Sequence, residues 1–197
     1  MEMETRPTVI VIAGANGSGK STTAPRLLRD YLLTMEFVNA DVIAQGLSAF
    51  QPENVAIEAG RIMLKRLQEL AEKRQSFAFE TTLAARSFAP FLRRLQQEGY
   101  HVHLLFLWLS SPEMAVARVA LRVAQGGHAI PENVVRRRYE AGLRNFFTLY
   151  RPLTNSWEFL DAEDIKKCVA FCGKDSESET VIQYPKIWNQ LCQEYEK

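Results

Sequence analysis

The chain has 197 residues, 47% hydrophobic and 24% charged, with a formal net charge of +1; this suits one soluble α/β domain over residues 1–197 rather than a disordered or fibrous chain. A charge so near zero gives no bulk field for nucleic acid or an anionic membrane surface, and no apolar run approaches the ~20 residues of a membrane span. The three cysteines form no C-x-x-C pair and read as buried thiols, and residues 1–7, with two Glu and no apolar core, are unlike a secretory signal, so a reducing cytoplasm is the expected location.

The first element is a β-branched apolar run, Val9-Ile10-Val11-Ile12. It leads into Gly14-Ala15-Asn16-Gly17-Ser18-Gly19-Lys20-Ser21-Thr22, which fits G-x-x-x-x-G-K-[ST] at every fixed position. A buried strand thus delivers the chain to a loop whose glycines let backbone N–H groups turn inward around an anion. Lys20 is expected to reach the β- and γ-phosphates of a nucleoside triphosphate, and Ser21 to place its hydroxyl on Mg²⁺. The helix that follows aims its positive end at the same phosphates.

That helix is expected over 22–33. A short strand at 36–39 ends at Asp41, and an amphipathic helix covers 52–74. A strand at 76–79 ends at Glu80-Thr81-Thr82, and a helix over 87–98 stops at Gly99. Residues 101–109 are near-continuously apolar, as a strand buried on both faces should be. Ser110-Ser111-Pro112-Glu113 opens a helix to about 124. Gln125-Gly126-Gly127-His128 breaks it as a hinge, and a second helix runs from Pro131 to about 150. Strands at 157–160 and 169–171, a polar turn at 175–179 and a helix at 185–195 close the chain. Such alternation implies a right-handed parallel sheet with ligands at the carboxyl ends of its strands. Those ends fall at Gly14, Asp41, Glu80 and Ser110, so Asp41 and Glu80 should lie near the γ-phosphate.

A carboxylate there can accept the proton of an attacking hydroxyl; for Asp41 the alternative is a helix N-cap. Glu80 ends a buried strand and needs a partner, either water on Mg²⁺, a substrate hydroxyl or an Arg. Arg118 and Arg122 share a helix face, and Arg136, Arg137 and Arg138 follow on the next helix. Together these two helices, about 112–150, read as a lid that brings guanidinium groups to a transferring phosphoryl. The apolar strand at 104–109 ends in Ser110-Ser111 rather than Asp, unlike the metal-holding strand of hydrolysing NTPases. Three readings stay open on these residues: a small-molecule kinase, an ATP-dependent switch module, and a polynucleotide kinase with a local patch at Arg93-Arg94 and Arg136, Arg137 and Arg138.

The set GANGSGKST, FVNAD, FETTL and RVALRVAQGGHAIPENVVRRRY resembles the zeta toxin family of P-loop kinases. That resemblance implies an adenylate-kinase-like P-loop NTPase fold with a five-stranded parallel sheet in the order 2-3-1-4-5. It implies ATP and Mg²⁺ as cofactors and transfer to the sugar 3′-hydroxyl of UDP-N-acetylglucosamine, a sugar nucleotide, with a protein antitoxin as the partner to look for. By the same analogy Asp41 is the base, Lys20, Arg122 and one of Arg136, Arg137 and Arg138, with Arg136 taken first, neutralise the phosphoryl group, and Glu80 and Thr82 position the acceptor. The family's arginine two residues after that threonine is Ala84 here, with Arg86 nearby.

Overall fold

A computed structural model describes residues 6–28, 36–173 and 180–196. The expected first helix beyond residue 28 and the polar turn at 175–179 lie outside the described residues. The central strand is β1 (Thr8–Gly14), the β-branched run, with Val9, Val11 and Ile12 fully buried. Each such side chain contributes about 1.5–3 kcal/mol by leaving water. On one face Val9 and Val11 join the large core; on the other Ile10 and Ile12 pack on Ala24 and Leu28 of the first helical segment.

Parallel partners flank β1 on both sides, β3 (Phe77–Thr81) and β4 (His101–Trp108). Beyond them lie the edge strand β2 (Glu36–Val38) and β5 (Ser156–Asp161). The parallel part therefore has the expected order 2-3-1-4-5. The sheet is larger than expected, however: β6 (Cys168–Cys172) and β7 (Val181–Ile182) continue it antiparallel, giving seven strands in all among the described residues. After β5 the connection at 162–167 is too short for the crossover a parallel strand needs, so the chain turns straight back.

The helices are α1 (Lys20–Leu27), α2 (Ala40–Leu47), α3 (Ala56–Glu72), α4 (Phe88–Gln97), α5 (Pro112–Ala124), α6 (Glu132–Asn145) and α7 (Pro185–Tyr195). At α2 the N-cap is Asn39, not Asp41: Asn39 Oδ1 accepts the backbone N–H of Asp41 at 2.7 Å and of Val42 at 3.4 Å. Asp41 sits in the first turn, its side chain free of capping duty. Before α3, residues Pro52–Val55 wind as a tighter 3₁₀ turn. Helix α5 is capped by Ser111 Oγ, which accepts Met114 N–H at 3.1 Å.

At its far end, the stretch expected as a hinge closes as a hydrogen-bonded cap. Gly126 N–H donates to Val123 O and Gly127 N–H to Arg122 O, both at 2.9 Å, with Gly126 at φ 90°; this is a Schellman motif.

Helix α6 is docked over the loop that follows β3. A Cβ on Gly142 would lie 2.5 Å from the Thr82 carbonyl oxygen, so only glycine allows this approach. Asn145 Nδ2 donates to Leu83 O at 2.7 Å, and Tyr150 OH, at the end of a π turn (Phe146–Tyr150), donates to Ala85 O at 2.6 Å. The carbonyls of Leu83 and Ala85 are thereby held by α6 and the π turn that follows it, and that of Thr82 packs against Gly142. Gly142→Ala should cost about 1–3 kcal/mol in urea melts by forcing α6 off this loop; an unchanged midpoint would show that the helix slides freely.

The last third is an aromatic wedge. Trp188 of α7 stacks on Trp157 of β5 at 5.3 Å, and the Arg151 guanidinium lies over Phe147, Trp157 and Trp188. The cysteines are free, and half-buried rather than buried; burial pushes the Cys168 and Cys192 thiols up to about 11. Among the described residues no helix is long and apolar enough to cross a membrane.

Candidate active site

The loop after β1 is shaped by three glycines at positive φ, Gly14 (141°), Gly17 (83°) and Gly19 (79°). A side chain at Gly14 would meet Leu107 O of β4 at 2.3 Å, and one at Gly17 would meet Ala115 O of α5 at 2.8 Å. The loop is thus wedged between β4 and α5 and can be built only from glycine at those points. Gly19 is the N-cap of α1, whose first residue is Lys20. Ala15, Asn16 and Ser18 are buried in the loop, whereas Ser21 and Thr22 are exposed at the start of α1.

Lys20 is 6% exposed, and its ammonium donates to Ala15 O at 2.8 Å. Parallel pairing of β3 with β1 sets Glu80 beside Ile12, two residues before the loop. There the Glu80 carboxylate lies 4.0 Å from Lys20 Nζ. It also accepts the Ser21 hydroxyl, at 2.8 Å from Oε2 and 3.0 Å from Oε1, and Asn39 Nδ2 at 2.9 Å. Burial dominates both charges: it lowers the pKa of Lys20 and raises that of Glu80, and each partly relieves the other. Such a pair gains from a ligand that brings phosphate charge to Lys20 and a cation to Glu80. A carboxylate and a hydroxyl together are hard oxygen donors of the kind that would hold Mg²⁺.

These groups open onto a cavity of about 660 Å³ between the loop, α3 and α6. Asp41 lines it and also a smaller one of about 190 Å³ that includes His128. No described residue bonds the Asp41 carboxylate. Thr82 lines the larger cavity.

The arginines divide. Arg122 sits in the cap of α5: its Nη2 donates to His128 O at 3.1 Å, its stem lies against Gly127, and its Nε is buried without a partner among the described residues. Lys20 and Glu80 both feel its charge. Arg138 Nη1 reaches Asn16 Oδ1 at 3.4 Å. The expectation for Arg136 is not met by the geometry: it turns away into ion pairs with Glu113 at 2.5 Å and Glu132 at 2.8 Å. Arg137 and Arg138 line the cavity instead, and so does Arg61 of α3; Arg86 does not.

The sequence model of the zeta toxin family matches residues 1–155. The chain belongs to the zeta toxin family. A curated, uncharacterized protein of Haemophilus influenzae is 31% identical over 132 residues, 66% of this chain and 91% of that relative. Among solved structures, one from the PezAT chromosomal toxin–antitoxin system of Streptococcus pneumoniae has a TM-score of 0.70 at 15% identity, over 98% of this chain and 79% of that one. The AvrRxo1-ORF1:AvrRxo1-ORF2 complex with sulphate ions gives 0.73 at 18%, over 95% of this chain and 64% of that one. At such identities the likeness to the solved structures is one of fold. This zeta toxin family member is an ATP-dependent P-loop kinase, with the phosphate loop its sequence announces.

Proposed function

We propose that this kinase moves the γ-phosphoryl group of ATP to a hydroxyl of a sugar nucleotide of the UDP-N-acetylglucosamine type. The observation that carries the reading is the Asp41 carboxylate, which no described residue bonds and which faces the same cavity as Lys20. Asp41 accepts the proton of the acceptor hydroxyl as it attacks. Lys20, Arg122 and Arg138 hold the phosphoryl oxygens while charge builds on them. Ser21 and Glu80 would hold Mg²⁺, which would offset the negative charge that builds on the phosphates. Thr82, on the loop clamped by α6, orients the acceptor.

ATP as donor is supported by the AvrRxo1-ORF1:-ORF2 pair, which was solved with ATP. A protein antitoxin as partner is supported by the toxin–antitoxin system to which the pneumococcal relative belongs. A reducing cytoplasm, where ATP is supplied, is the proposed site of action.

Incubation with γ-labelled ATP and UDP-N-acetylglucosamine, followed by mass spectrometry, should yield a singly phosphorylated sugar nucleotide. Transfer only to another compound of a metabolite extract would reject that acceptor; no phosphorylated small molecule at all would reject the reading. Within it, Arg138→Ala should lower kcat/KM by about 10²-fold or more, whereas Arg136→Ala should stay within a few-fold. Equal losses at the two positions would show that the helix face has been misassigned.

A further inference from the structure

Strand β2 ends at Val38, which pairs with Phe79 of β3. The next residue on each strand, Asn39 and Glu80, therefore fall side by side. Asn39 is buried, and the two ends of its amide serve different partners. Oδ1 accepts the backbone N–H of Asp41 at 2.7 Å and of Val42 at 3.4 Å. Nδ2 donates to Glu80 Oε2 at 2.9 Å and to Ser21 Oγ at 3.4 Å. By its oxygen this amide grips the backbone of the proposed base. By its nitrogen it grips the carboxylate and hydroxyl that would hold the cation.

A primary amide offers two acceptor sites and two N–H donors, and here it makes four bonds. The two backbone donors fix which end is the oxygen, so the nitrogen has to face Glu80 and Ser21. Capping α2 asks for much less. Serine or aspartate caps a helix about as well as asparagine. Aspartate, however, would set a second negative charge against the buried Glu80 carboxylate, and serine ends one bond nearer the backbone in a single oxygen. The cap accounts for an acceptor at residue 39, and the second pair of bonds accounts for the amide. Because β2 is an edge strand of three residues, a side-chain tie at its end adds a fixed point beyond the last rung of the ladder.

We propose that Asn39 is a positioning residue that holds the acceptor half of the site in register with the donor half. Through one rigid amide the start of α2, and with it Asp41, is set at a constant place relative to Ser21 and Glu80. Asn39 acts through those three residues. This rests on the kinase reading above, with Asp41 as base and Ser21 and Glu80 as the cation-holding pair.

Asn39→Ser tests it, because serine keeps a helix cap and removes both amide donors; Asn39→Ala removes the cap as well, and should melt at the lower temperature of the two. Titration of a non-hydrolysable ATP analogue at stepped Mg²⁺ concentrations reads the tie without turnover. Asn39→Ser should need about tenfold more Mg²⁺, or beyond, for half-maximal analogue binding. In single-turnover assays with UDP-N-acetylglucosamine at saturating Mg²⁺, Asn39→Ser should slow transfer about tenfold or more in the original background. In the Asp41→Asn background the same change should stay within about twofold, since no base is left to position. An unchanged Mg²⁺ requirement in the serine variant reduces Asn39 to a helix cap and overturns the proposal. An equal loss of transfer in both backgrounds overturns it too. Absence of transfer by the unaltered protein strikes the acceptor reading instead, and the Mg²⁺ titration then decides for or against the tie.

Discussion

Asp41→Asn should lower kcat by about 10²- to 10⁴-fold while ATP affinity stays within about threefold. The substitution keeps the shape of the side chain and removes only its ability to take a proton. Local structure should survive, because α2 is capped by Asn39 and not by residue 41. The remaining structural cost is the loss of a negative charge in the first helical turn, about 0.3–1 kcal/mol. Single-turnover transfer of labelled phosphoryl measures the chemical step, and titration with a non-hydrolysable ATP analogue measures donor binding. A variant retaining a tenth or more of the original rate would place the base elsewhere, and Glu80 is a poor replacement because Ser21, Asn39 and Lys20 already occupy its carboxylate.

Glu80→Gln should separate stability from activity. Transfer should fall by about 10³-fold, because the neutral amide no longer offers the anionic oxygen that a divalent cation requires. Stability of the ligand-free protein should hold or rise at neutral pH. Burial raises the Glu80 pKa above its ordinary value of 4.5, so ionising this carboxyl is harder in the folded state than in the unfolded chain. For a group raised in this way, its favourable share is full below the unfolded pKa and is lost as pH climbs through the folded value. The advantage of the glutamine variant should thus be present at pH 7 and close as pH falls towards 4.5. Urea melts across that window, with and without Mg²⁺ and ATP, check both halves. A glutamine variant that unfolds more easily at pH 7 would show that the carboxylate is needed for the fold.

The sequence made the phosphate loop legible because every constraint there is local: strand, glycines, lysine and helix follow one another within fifteen residues. The order of the five parallel strands was legible too, through the family resemblance. The two antiparallel strands were half visible. Residues 169–171 read as a strand, but their direction depends on a connection too short to cross over, and Val181–Ile182 is only two residues long. Arg136 and Arg138 could not be told apart in a run of three arginines. What separates them is Glu113, a partner 23 residues away on α5. Arg61 was hidden for a different reason, since an amphipathic helix places arginines on its solvent face by default. Gly142 was a readable signal, a glycine inside a helix, for the approach of α6 to Thr82.

The cap at the end of α5 bears on how the enzyme reaches its transition state. Flexing at Gly126 and Gly127 would break two backbone hydrogen bonds and dislodge Arg122, whose stem and guanidinium are held by that very turn. Movement of α5 and α6 must therefore carry the turn along as one rigid piece, with its bending confined to the ends of the pair. Long arginine side chains ordinarily lose much rotational freedom when they clamp a ligand. Under the proposed mechanism that ordering is completed once, during folding, so Arg122 would meet each incoming phosphoryl group already held and each catalytic cycle would be spared the entropy of fixing it.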